Sequence, residues 1–205
     1  MRPHIQRVLD GEYAHRYFNV FGNPVILDIG ANIGAYTYWA LEYYNPTTIY
    51  CYEPVLTNYQ QLYDNLMAAQ APMERLVLVN KAVAATDNKK LKLFEGFNCG
   101  MHSITASMAD PTKLAKSFEV DVMRPRDLPQ ADIVKVDTEG CEVDILTEYL
   151  ETHKTPVLIS YEFHSTADRL ILEALMSKYG YIMFSGMVYA HNLGTFIFGK
   201  GTEGS

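Results

Sequence analysis

Short apolar runs alternate along this chain with segments whose apolar residues recur every three or four positions. That rhythm predicts a parallel sheet covered by helices. The runs at 25–29, 48–52, 76–80, 133–137, 157–163, 181–184 and 195–198 predict strands. Several are apolar on both faces, as strands between two helix layers must be. Helices are predicted at 35–44, 56–69, 142–152 and 167–179. In the second, Tyr59, Leu62, Tyr63 and Leu66 fall at helical spacing and are expected to face the sheet.

Between the third and fourth strands the rhythm changes. Residues 90–94 and 118–122 alternate as two further strands, separated by a polar stretch at 96–111. They are expected to form a β-arm within 86–127, added to the core sheet and carrying a loop over a ligand. Because 185–194 rather than a helix joins the last two core strands, they are expected to be antiparallel. The predicted fold class is therefore α/β, a seven-stranded and mostly parallel sheet with one reversed strand. Residues 1–200 are expected to make a single domain, with 1–20 as an N-terminal cap and 201–205 as a frayed tail or a cloning scar.

The strongest local signal is Val25-Ile26-Leu27-Asp28-Ile29-Gly30-Ala31-Asn32-Ile33-Gly34, an apolar strand turning through two glycines into a helix. Glycine there permits positive φ and close approach of a ligand to the backbone. One strand later Glu53 ends a run and Pro54 stops the ladder, placing a carboxylate where both hydroxyls of a ribose can donate to it. Together these features read as a nucleoside-cofactor site. The turn lacks the middle and final glycines of the dinucleotide pattern, and Asp28 suits an ammonium better than a pyrophosphate. S-adenosylmethionine is the expected cofactor, with Asp28, Gly30, Asn32, Gly34, Glu53, Asn80 and Asp137 as its expected contacts. Asn80, ending the third strand, is expected to meet an adenine edge. Glu12, Tyr13 and Tyr17 precede the first strand and are expected to close over the cofactor.

A second cluster is expected at the ends of strands four and five. Alternation sends Lys135 and Asp137 to one face, and Glu162 and His164 share a face on the next strand. With Glu139 these make five ionisable groups on one rim, a costly arrangement without an offset. Three offsets stay open: pairing of Lys135 with Glu139 or Glu162, a hard cation on Asp137, Glu139 and Glu162, or a protonated carboxyl. Methyl transfer to an alcohol gains from a base titrating near neutrality. His164 is the expected base and Asp137 its rival, with Glu162 in the same catalytic group. Glu142 is expected to be a charge at a helix start.

Gly11-Glu12-Tyr13, the 28–34 turn, Glu53, Asn80-Lys81-Ala82-Val83, residues 98–103 and Lys135-Val136-Asp137-Thr138-Glu139-Gly140-Cys141-Glu142 occur in an order that resembles the FkbM family of S-adenosylmethionine-dependent methyltransferases. The resemblance runs from about Gly11 to Phe198. It implies the Rossmann-like sheet of class I methyltransferases and transfer to oxygen, often of a sugar or polyketide hydroxyl. It also supports placing His102 and Ser103 near the cofactor or acceptor, with Glu139 as a further acceptor contact. Thr138 stands where the family pattern leads one to expect Val.

Composition narrows the function classes. The 205 residues are 48% apolar and 20% charged, which excludes a fibrous or wholly disordered chain. Seventeen basic against 24 acidic residues give a formal charge of −7, the wrong sign for general nucleic-acid binding. Cys51, Cys99 and Cys141 lie too far apart for a metal knuckle or a disulfide set, which points to a reducing compartment, and the cytoplasm is expected. Asp28 and Asn32 interrupt the most apolar stretch, so no segment is expected to span a bilayer. A small-molecule or glycan acceptor is expected, without nucleic acid. Methylation of another small molecule, a lipid, RNA or a protein is the alternative, as is a non-catalytic cofactor-binding domain excised from a larger glycan-building enzyme. A divalent metal is possible but not required.

Overall fold

The computed structural model describes residues 3–14, 22–94 and 117–200. Residues 98–103, with His102 and Ser103, lie outside them, as do Tyr17 and the tail. Seven strands form one sheet: β1 (Val25–Ile29), β2 (Thr48–Tyr52), β3 (Leu76–Val79), β7 (Ile133–Val136), β8 (Leu158–Phe163), β9 (Tyr181–Ala190) and β10 (Leu193–Lys200). Their order is β3-β2-β1-β7-β8-β10-β9. All neighbours are parallel except those of β10, which runs against both β8 and β9. The order reverses between β1 and β7, and in open α/β sheets the crevice at such a reversal is where ligands bind.

Among the described residues five α-helices accompany the strands: α1 (Pro3–Leu9), α2 (Ala35–Tyr44), α3 (Leu56–Ala68), α4 (Glu142–Thr152) and α5 (Thr166–Lys178). Two apolar cores lie around the sheet. One gathers Leu27, Val134, Ile145, Tyr161, Leu172 and Phe196; the other gathers Ile26, Ile49, Ile133, Trp39, Leu62 and Leu66. Successive side chains of β1 alternate between them, as strand geometry requires. On α3 the buried residues are Asn58, Leu62 and Leu66, one per turn, whereas Tyr63 is 46% exposed. The helix therefore presents a narrower stripe than its apolar spacing suggests.

The arm departs from expectation. β5 (Lys90–Phe94) pairs antiparallel with β6 (Ser117–Met123), and β6 pairs in parallel with the two-residue β4 (Ala82–Val83). These three strands form a separate sheet rather than an extension of the core. Val55, Ala82, Leu93 and Val120 pack beneath it as a small core of their own. The last hairpin is also longer than its apolar runs. Gly186, Gly194 and Gly199 sit inside strands because Phe196, Phe163 and Phe184 rings occupy the space where a Cβ would project.

Candidate active site

A cleft opens at the carboxyl ends of β1, β2 and β7. Its lining comes from the 29–32 turn, the segment from Tyr52 to Asn58, Ala82, Val83 and Leu93 of the small sheet, and the 137–139 turn. It holds about 610 Å³ of empty space, part of it open to solvent.

The glycine turn builds one wall. Gly30 (φ +81°) lies so close to the end of β7 that a Cβ would stand 1.7 Å from the carbonyl oxygen of Asp137. The N–H groups of Gly30 and Ala31 both donate to the Tyr52 carbonyl, at 2.9 and 3.0 Å. Asn32 adopts φ +52° and donates its N–H to Glu53 Oε2 at 2.8 Å, while the N–H of Val55 donates to Oε1 at 2.8 Å. Two backbone donors thus fix the Glu53 carboxylate, with the Asn58 side chain as a further partner, and a carboxylate so held still has acceptor capacity for a ligand. Burial pushes its carboxyl up to about 7, against the opposing pull of those two hydrogen bonds. Asn32 Oδ1 is buried without a partner, a group that a ligand donor in the cleft would satisfy.

Three expected cofactor contacts stand behind this wall rather than on it. Asp28 is fully buried: its Oδ2 accepts from Thr37 Oγ1 at 2.6 Å, and its Oδ1 lies 3.1 Å from Lys135 Nζ. It anchors the turn from below. Gly34 (φ +93°) makes room for Leu62, whose Cδ1 would be 2.6 Å from an added Cβ. Asn80 donates from Nδ2 to the carbonyls of Glu53 and Pro54, at 2.8 and 3.0 Å, and so braces the loop that carries Glu53.

The ionisable rim forms as expected in place but not in pairing. Lys135 turns to Asp28 and to the Gly30 carbonyl (2.7 Å), with Asp137 Oδ2 3.8 Å away, instead of to Glu139 or Glu162. His164 takes the two glutamates of the next turn: its Nε2 lies 3.1 Å from Glu139 Oε2 and its Nδ1 3.5 Å from Glu142 Oε1. Burial opposes charge on the imidazole, but Glu139 and Glu142 outweigh it and raise its pKa to about 11. The two glutamates favour the charged imidazolium, which counts against the expected role of His164 as a base. Glu142 is more than a charge at a helix start. It is buried and accepts from the N–H groups of Thr138 and Gly140, holding the 138–140 turn closed.

Asp137, Glu162 and His164 each present a ligand atom within 4.8 Å of the others. Burial, then the negative charge of Asp137, drives the Glu162 carboxyl up to about 9. Asp137 remains partly exposed and lines the cleft.

Sequence patterns missed several parts of the site. Asn58 and Leu93 line the cleft, and no local motif marks them. Glu12 was expected near the cofactor, but its partners were not: it accepts from Thr195 Oγ1 at 2.8 Å and from the Tyr189 hydroxyl, both on the last hairpin. Behind it Tyr13 is buried edge-on against Tyr36, their centroids 4.8 Å apart.

Comparison with known proteins supplies the context. The model of the methyltransferase FkbM domain matches residues 28–183. An FkbM methyltransferase from Methylobacillus flagellatus KT is similar in structure, with a TM-score of 0.58 and 17% identity over 85% of this chain and 43% of its own. Precorrin-6y C5,15-methyltransferase from Geobacter metallireducens GS-15 gives a TM-score of 0.54, with 17% identity over 96% of this chain and 87% of its own. The Bacillus subtilis M1A22 tRNA methyltransferase TrmK gives 0.54, with 9% identity over 98% of this chain and 67% of its own. No curated protein sequence matches.

Proposed function

The chain belongs to the FkbM methyltransferase family, and we propose that it is an O-methyltransferase that uses S-adenosylmethionine to methylate a hydroxyl of a sugar or glycan. The observation that carries this reading is the position of Glu53, pinned by the Asn32 and Val55 amides at the mouth of a cleft that leads to Asp137.

The residues fit the cofactor. The Glu53 carboxylate would accept from the ribose hydroxyls, and Asn32 Oδ1, buried without a partner, would accept from a donor on the cofactor. Ala82, Val83 and Leu93 supply an apolar wall for a planar base. When bound, S-adenosylmethionine supplies a methyl carbon that an oxygen can attack while the C–S bond breaks and its electron pair returns to sulfur. Asp137 accepts the hydroxyl proton, since His164 already holds its own. Lys135, buried beneath, pairs with Asp28, lies near Asp137 and holds the Gly30 turn in place through its carbonyl. His164, Glu139 and Glu162 form the lip against which the acceptor rests.

Carboxyl groups on this lip suit hydrogen-bonding polyols and repel phosphate backbones, which favours a sugar over RNA. No described helix is long and apolar enough to cross a membrane. The test is a screen for S-adenosylhomocysteine release against sugars, nucleotide sugars, glycans, lipids and tRNA. Turnover with a sugar-bearing acceptor is expected. Turnover on tRNA alone would overturn the acceptor class.

A further inference from the structure

We infer that Asp137, Glu162 and His164 form a divalent-cation site that holds the acceptor hydroxyl, an inference that rests on the methyltransferase reading and specifies how its acceptor is bound. Two carboxylates and one imidazole converge from the ends of adjacent strands β7 and β8, with their ligand atoms within 4.8 Å of one another. This mixed oxygen and nitrogen set suits Mn²⁺, while carboxylates alone would suit Mg²⁺ or Ca²⁺.

Two further observations point the same way. His164 is only 6% exposed, and its Nε2 lies 3.1 Å from Glu139 Oε2 within the carboxyl cluster. Among the described residues, no hydrogen bond or ion pair reaches the Glu162 carboxylate, although the side chain is largely enclosed and faces Asp137, Glu139 and Glu12. Lys135 pairs directly with Asp28 and the Gly30 carbonyl and reaches Glu162 only as a more distant charge. A surplus of enclosed carboxyls costs free energy that a bound cation removes.

The ion sits among the ligand atoms of Asp137, Glu162 and His164. Its open positions take the acceptor hydroxyl and a neighbouring oxygen, which selects acceptors with adjacent hydroxyls. The hydroxyl is made more acidic by the ion, and its proton passes to the second oxygen of Asp137.

The test is calorimetric titration of the whole chain with Mn²⁺ alone, beside titration with S-adenosylhomocysteine. Saturable binding of one Mn²⁺ per chain is expected. Glu162→Gln is expected to weaken Mn²⁺ at least tenfold and to leave S-adenosylhomocysteine binding within about twofold, which also shows that the variant folds. Absence of saturable Mn²⁺ binding, or equal binding by Glu162→Gln, overturns the cation site while S-adenosylhomocysteine binding upholds the cofactor reading. Mn²⁺ binding without S-adenosylhomocysteine binding overturns the cofactor reading and leaves the cation site standing.

Discussion

Gly30 and Asp137 meet backbone to backbone: a Cβ on Gly30 would lie 1.7 Å from the Asp137 carbonyl oxygen. Neither atom belongs to a side chain that could swing away. Gly30→Ala is therefore expected to force the ends of β1 and β7 apart, costing about 3 kcal/mol and abolishing S-adenosylhomocysteine binding. Chemical denaturation and calorimetry check it, and an unchanged denaturation midpoint would show that the two strand ends are not in contact.

Glu53 is expected to make cofactor binding pH-dependent. Its carboxyl is held up to about 7, above its usual value of 4.5. The sign follows from linkage: between those values the unfolded chain ionises first, so this group lowers stability as pH rises from 4.5 through 7. Ribose hydroxyls favour the ionised form, so S-adenosylhomocysteine is expected to bind more tightly at about pH 8 than at about pH 6. Glu53→Gln is expected to weaken binding by roughly 10- to 100-fold and to flatten that profile in calorimetry.

His164, faced by Glu139, Glu142, Glu162 and Asp137, is expected to stay charged across the neutral range in the metal-free protein. Its raised pKa makes a stabilising contribution that is complete below 6.5 and disappears as pH climbs through about 11. Carbon NMR of the imidazole should show no titration between about pH 6 and 9. A midpoint near 6.5 would restore His164 as a candidate base.

Lys135→Met removes the only ion-pair partner found for the buried Asp28 carboxylate among the described residues. A loss of about 3–5 kcal/mol is expected in chemical denaturation. Adding Asp28→Asn is expected to recover part of it, because the stranded charge goes too. Strict additivity of the two losses would contradict the pairing.

Asp137→Asn is expected to lower turnover by roughly 10²–10⁴-fold while S-adenosylhomocysteine still binds. The substituted amide keeps the shape but accepts no proton. A fall in affinity equal to the fall in turnover would make Asp137 a cofactor contact only.

Much of this was legible in the chain, and the exceptions have physical causes. β1, β2 and α2 begin and end where their apolar runs do, because a glycine turn, Pro54 and Asn45 punctuate them. The reversed strand was legible from a connection lacking helical spacing, but the hairpin's length was not. Gly186 and Gly194 read as loop residues until aromatic rings on facing strands explain them. Alternation revealed β5 and β6, whereas the two-residue β4 carries no period and only pairing defines it. Within the site, residue types placed the ionisable groups but not their partners. Whether Lys135 meets Asp28 or Glu162 depends on side-chain direction across neighbouring strands, and His164 found its glutamates through the turn that Glu142 closes.

The wall of the cleft formed by Leu93 and Val83 belongs to a sheet that shares no paired strand with the seven that carry Glu53 and Asp137. Substitutions in the arm can therefore reshape the apolar wall of the pocket while the strands that position Glu53 and Asp137 keep their register.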